Sequence, residues 1–170
     1  MATGEMFLEV PDGRDPITHV WGYMVPGIGP AAAAFSGAVY EHSTLSLEEF
    51  EAARLRVAQI NGCLFCLDWR TDRDGRTVDD GFMAEVENWR TSDTLDARSR
   101  LAAEFAERFV LDHHGIDDAV FERMRAAYSD EELVELSMCI GSWMTFGRLN
   151  RVFGLDVACV LPGHAGPPES

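Results

Sequence analysis

Ser46-Leu-Glu-Glu49-Phe-Glu51-Ala-Ala-Arg54-Leu-Arg-Val-Ala-Gln-Ile-Asn61-Gly62-Cys63-Leu-Phe-Cys66-Leu-Asp-Trp-Arg70 is the stretch from which the rest of the chain is read. Ser46 with Glu49 three positions later is a capping box, in which a hydroxyl and a carboxylate take the free amides of a helix start, so a helix begins at about residue 46. Leu47, Phe50, Ala53, Val57 and Ala58 recur at helical spacing and give it one apolar face. Gly62 ends it. Cys63 and Cys66 then open a second helix, where unpaired amides and the helix dipole favour anions and depress a thiol pKa. At about 1.5 Å per residue, Glu51 stands roughly 16 Å up the first arm of this helical hairpin and residue 70 roughly 12 Å up the second. Residues 66 and 70, being i and i+4, share a helix face. The spacing therefore predicts a contact chain Glu51, Arg70, Cys66.

A lone Cys-x-x-Cys also fits zinc, but a structural zinc needs a second ligand pair. Cys139 and Cys159 are twenty positions apart, and His113 and His114 are adjacent on a helix and point in different directions. No metal and no organic cofactor is expected.

Composition narrows the function further. The 170 residues carry a formal net charge of -15 with a pI near 4.5, which argues against nucleic acid and against anionic membranes. All 14 basic residues are arginine, so Schiff-base chemistry and a lysine general base are excluded. No apolar run reaches the length of a membrane span, and no signal sequence opens the chain; a cytoplasmic protein is expected. In a reducing compartment a close cysteine pair is expected to be redox-active or metal-binding rather than a structural staple.

Read in order, residues 1–28 form an arm rich in Pro, Gly and Asp with little helix, tacked down by Trp21, Tyr23 and Met24. Residues 29–154 form the helical domain, and 155–170 a loose Pro- and Gly-rich tail. Pro30 opens a first helix that ends near His42 and Ser43. After the hairpin come a turn at Thr71–Gly75, an amphipathic helix at 78–89, a helix capped by Asp93 or Thr94 that runs to His113 and stops at Gly115, and a helix at 117–127. The longest helix begins at the second capping box, Ser129 with Glu132, and carries Leu133, Leu136, Ile140, Trp143 and Gly147; the glycine leaves room for a close neighbour. No stretch alternates like a strand. The fold is all-α, about six helices around the cysteine hairpin.

A glutamate, a Cys-x-x-Cys beginning twelve residues later, and the intervening Leu-Arg-Val-Ala-Gln-Ile-Asn-Gly resemble the AhpD-like, alkylhydroperoxidase branch of the carboxymuconolactone decarboxylase family. The likeness is close over residues 44–70 and looser to about 154. It implies a thiol-dependent peroxidase or disulfide reductase in which Cys66 attacks the peroxide, Cys63 closes the disulfide, Glu51 is the distal base, and an external dithiol protein restores the thiols. It also implies a homo-oligomer, a trimer or a hexamer. The pattern departs from the family at Arg70, where members carry histidine, and at Phe65. Arginine cannot pass a proton near neutral pH; Arg70 is read as a fixed charge that stabilises the Cys66 thiolate, and Arg70→His is expected to raise turnover. His42, His113 and His114 are the candidates to replace the absent histidine, the last two otherwise reading as helix caps. Trp69, Trp143 and Cys139 read as core, and Cys159 stays unassigned. Two other readings are a lactone decarboxylase, with Arg70 or Arg54 as the cation for a substrate carboxylate, and a non-enzymatic redox sensor.

Overall fold

A computed structural model of the chain describes residues 6–157. Among these the regular structure is helical: α1 (Pro16–Thr18), running on into a π-helical turn (His19–Tyr23), then α2 (Gly29–His42), α3 (Leu47–Asn61), α4 (Leu64–Asp68), α5 (Asp80–Glu87), α6 (Ala97–Leu111), α7 (Asp118–Ala127) and α8 (Asp130–Phe153). The all-α expectation holds, the helix boundaries less so.

Both capping boxes form as read. Ser46 Oγ accepts from Glu49 N at 3.2 Å while Glu49 Oε2 accepts from Ser46 N, and Ser129 with Glu132 repeats the exchange at the start of α8. Gly62 ends α3 at φ 62°, a conformation only glycine adopts without strain. Asp96, not Asp93 or Thr94, caps α6, taking the amides of Arg98 and Ser99. That helix stops at Leu111, and His113 and His114 lie beyond it in an exposed 3-10 turn.

α3 is the central element, packed along α6 on one side and α8 on the other. Phe50, Leu55, Val57, Leu136 and Ile140 are fully buried in the core they form, as is Val86 of α5, which packs on α3. Cys139 is buried there too, and burial pushes its thiol up to about 12, so it stays protonated and packs as a small hydrophobe. Glu135 of α8 pins the entry to α3 by accepting from Ser43 Oγ at 2.6 Å, Thr44 N at 2.8 Å and Thr44 Oγ1 at 2.6 Å. Burial works against its charge, yet those hydrogen bonds hold the carboxyl below its ordinary range.

The arm is more helical than expected. Trp21 does anchor it, its ring 4.6 Å from that of Phe146 on α8, but Tyr23 and Met24 are exposed. The expectations for Cys159 and for most of the tail fall outside the described residues.

Candidate functional site

The second arm of the hairpin is much shorter than the spacing argument required. α4 ends at Asp68, and Trp69 turns the chain into extended backbone at ψ 140°. The reason lies on α3: Arg54 Nη1 donates to Cys66 O at 2.5 Å and Nη2 to Trp69 O at 2.7 Å, while Arg70 takes Leu67 O. Guanidinium groups thus occupy the carbonyls that a continuing helix would bond internally.

Arg70 therefore does not link Glu51 to Cys66. Its Nη2 donates to Asp80 Oδ1 at 2.8 Å, and its Nη1 also reaches Trp69 O at 2.9 Å. The group next to Glu51 is Arg54, with Nε on Oε1 at 2.5 Å and Nη2 on Oε2 at 2.9 Å; Thr71 Oγ1 adds a bond to Oε1 at 2.6 Å. Both Glu51 and Arg54 are buried. Each charge needs the other there, because an unpaired buried ion is strongly disfavoured.

Cys63 and Cys66 are joined by a disulfide, their Cα atoms 5.3 Å apart. Cys63 is the N-cap of α4, its sulfur 3.3 Å from Cys66 N, and is wholly buried. Cys66 is partly open and lines a cavity of about 260 Å³. The cavity walls are chiefly aromatic and aliphatic: Trp21, Tyr40, Phe65, Trp69, Trp143 and Phe146. Trp69 is thus a half-exposed wall, not core, and Trp143 serves both.

α8 passes close beside the cysteines because residue 147 is glycine. A Cβ there would stand 2.7 Å from Asn61 Nδ2 and 3.7 Å from Cys66 Sγ. Asn61 is itself fixed to α8, donating to Trp143 O at 3.2 Å and accepting from Arg148 Nε at 3.1 Å.

Several polar atoms on the cavity wall are left over. Ser142 Oγ, Asn150 Oδ1 and Trp21 Nε1 are buried without a hydrogen-bond partner among the described residues, and Ser142 and Asn150 are almost wholly enclosed. Buried polar groups are rarely left so unless something else meets them. Burial, opposed by Arg54 and aided by Glu51, raises the Tyr40 pKa, so that this hydroxyl keeps its proton. Sequence reasoning missed Tyr40, Ser142 and Asn150 because hydroxyl and amide side chains on helices carry no pattern of their own. Among the described residues no histidine lines the cavity: His113 and His114 are exposed in their turn, and His42 opens onto a different groove.

Among the described residues Arg54 is the one arginine on the cavity wall and already faces Glu51 and two carbonyls, and Arg70 faces Asp80. Neither offers the free guanidinium that a substrate carboxylate of a lactone decarboxylase would need. Among the described residues no cluster of three or more His, Cys, Asp or Glu side chains is placed to hold a metal ion. No helix among them is long and apolar enough to cross a membrane.

Residues 26–108 match the family described as the Carboxymuconolactone decarboxylase family. The uncharacterized protein YdfG of Bacillus subtilis (strain 168) is 27% identical over 122 residues, 67% of this chain and 79% of YdfG. The uncharacterized protein YnjA of Escherichia coli (strain K12) is 32% identical over 110 residues, 63% of this chain and 60% of YnjA. Among solved structures, a protein of unknown function from Agrobacterium tumefaciens, provisionally described as the antioxidant defence protein AhpD, superposes with a TM-score of 0.66. It shares 26% identity over 78% of this chain and 92% of its own.

Proposed function

The chain belongs to the carboxymuconolactone decarboxylase family through residues 26–108, and on that premise we propose that it is a thiol-dependent oxidoreductase, reducing organic hydroperoxides or disulfides with the Cys63–Cys66 pair. The observation that carries this reading is the asymmetry of the pair: Cys66 faces an apolar cavity and Cys63 is sealed behind it. An attacking thiol needs access, whereas a resolving thiol needs only its partner.

In the peroxidase cycle the Cys66 thiolate attacks one peroxide oxygen, the O–O bond breaks, and the other oxygen leaves and takes up a proton as an alcohol. Cys66 is oxidised to a sulfenic acid, which condenses with the Cys63 thiol to give the disulfide and water. A dithiol protein returns two electrons by exchange at the sulfur of Cys66, the more open of the two cysteines. The hydroxyls of Ser36, Tyr40 and Ser142 line the cavity, and of these Tyr40 and Ser142 are assigned to meet the departing oxygen. Glu51, whose carboxylate is taken by Arg54 and Thr71, acts as the counter-charge that holds Arg54 against the cysteine turn. A cavity with no unmatched charge and apolar walls favours a neutral organic substrate over an anion.

The test is stopped-flow consumption of cumene hydroperoxide with dithiothreitol as donor, accompanied by mass mapping of alkylated cysteines before and after reduction. Turnover that is lost in Cys66→Ser, and a two-proton mass change confined to Cys63 and Cys66, support the reading. Consumption no faster than that of Cys66→Ser would overturn it.

A further inference from the structure

Next to the cysteine turn, and outside the lining of the cavity, lies a buried carboxylate that the cycle above does not use. Asp156 belongs to the 3-10 turn Leu155–Val157 that follows α8 and is only 3% exposed. Its Oδ2 accepts from Leu64 N at 3.1 Å, the amide next after Cys63, and lies 3.6 Å from Arg151 Nη1. Its Oδ1 is buried without a partner among the described residues.

We propose that Asp156 is a positioning residue that decides which cysteine reacts first, keeping Cys63 a thiol so that Cys66 alone becomes the nucleophile. Two acceptors divide the free amides at the start of α4: Cys63 Sγ faces Cys66 N, and Asp156 takes Leu64 N. Without Asp156 that second amide would be available to stabilise a Cys63 thiolate. With it, a thiolate at Cys63 would form in a buried place beside an existing negative charge, and like charges in low dielectric disfavour the second ionisation. Cys66, by contrast, faces the cavity on the side where Arg54 donates to its carbonyl.

The other charges around the pair do not cancel this difference. Arg151, on α8, partly offsets Asp156 and is itself half open to solvent. Arg54, on α3, stands at the far end of α4 and is matched by Glu51; Arg148, on α8, is directed to Asn61. Asp68, at the end of α4, carries the same sign as Asp156 and has an interaction of its own. The consequence for catalysis rests on the redox reading above, but the ionisation order can be measured on the reduced protein with no substrate present.

The experiment is alkylation of the full, dithiothreitol-reduced chain with iodoacetamide from pH 6 to 10. Each cysteine is followed by mass mapping and referred to its own high-pH plateau. In Asp156→Asn the Cys63 midpoint should fall by about one pH unit, a roughly tenfold gain in Cys63 labelling below the midpoint, with Cys66 moving far less. Asn can still accept from Leu64 N, so the turn is kept. Arg151→Gln provides the opposing arm: it removes the cation beside Asp156 and should move the Cys63 midpoint up. Loosening of the turn would shift both variants in one direction. Shifts of the same sign, shifts shared equally by Cys63 and Cys66, or an unchanged Cys63 profile in Asp156→Asn would each overturn the proposal. Failure of hydroperoxide turnover would not touch it.

Discussion

Arg54 joins Glu51 to the cysteine turn: one guanidinium holds both carboxylate oxygens of Glu51 and reaches the carbonyls of Cys66 and Trp69. It follows that the hairpin depends on this pair and little on Arg70. Glu51→Gln leaves a buried cation half-matched and should cost about 3 kcal/mol in urea unfolding. Arg70→Ala removes bonds to the Leu67 and Trp69 carbonyls and to Asp80, which is 90% exposed, but leaves no buried charge unmatched, and should cost only about 1 kcal/mol. Equal losses in the two variants would contradict the assignment.

The same geometry reverses what the sequence suggests for position 70. Since the Arg70 guanidinium is directed to Leu67 O, Trp69 O and Asp80, Arg70→His should leave the alkylation pH profile of Cys66 unchanged and should not raise peroxide turnover. Arg54→Lys should move that profile, because a lysine at 54 cannot reach Glu51 and both carbonyls together. A Cys66 profile displaced by Arg70→His and indifferent to Arg54→Lys would restore the original chain of contacts.

The reason Arg70 was misplaced, while so much of the fold was legible, is the range of the signals. Ser46 with Glu49, Ser129 with Glu132 and Gly62 act within one turn of their own helix, so their readings survive into the structure. The length of α4 is set instead by Arg54, twelve residues before Cys66, which takes the carbonyls that would have carried the helix to residue 70. Asp156 meets Leu64 across 92 positions, and the missing partner of Ser142 is a property of the packed state alone. The cysteine pair and its helix start were readable; what surrounds the sulfur was not.

Gly147 was expected to admit a close neighbour, and it faces Asn61 and Cys66. In Gly147→Ala the new methyl would have to displace the Asn61 amide, which is bonded to Trp143 O and Arg148. A loss of about 1 to 3 kcal/mol is expected from this overpacking, with slower alkylation of Cys66 at every pH. Thermal unfolding and labelling rates check it. Unchanged labelling would mean that α8 gives way without narrowing the approach to the sulfur.

The surface between α2 and α8 bears on assembly. Phe35, Val134 and Met138 are exposed along one groove, with 43%, 56% and 58% of their surfaces open. An exposed apolar strip of this kind is a surface on which a second copy can pack, its burial working against the repulsion between chains of net charge -15. Light scattering at micromolar concentration should give a trimer or a hexamer, and Met138→Glu should lower the mass. A mass near 18.9 kDa for the unaltered chain would rule assembly out.

Ser142 offers the sharpest separation of binding from folding. Its hydroxyl is wholly buried on the cavity wall with no partner among the described residues, a condition that costs stability in the free protein because water has been given up and nothing gained. Ser142→Ala removes that penalty and should leave the protein as stable or more stable, by up to about 1 kcal/mol. If the hydroxyl is there to meet the substrate, the same change should lower kcat/KM for an organic hydroperoxide by as much as tenfold, equivalent to about 1.4 kcal/mol. Cys66 alkylation should not change, since iodoacetamide needs no oxygen partner. Stability and turnover would then move in opposite directions, which a merely structural serine cannot produce. Thermal melts and steady-state kinetics on the two proteins decide it: a parallel fall in both would make Ser142 a packing residue, and no change in turnover would remove it from the site.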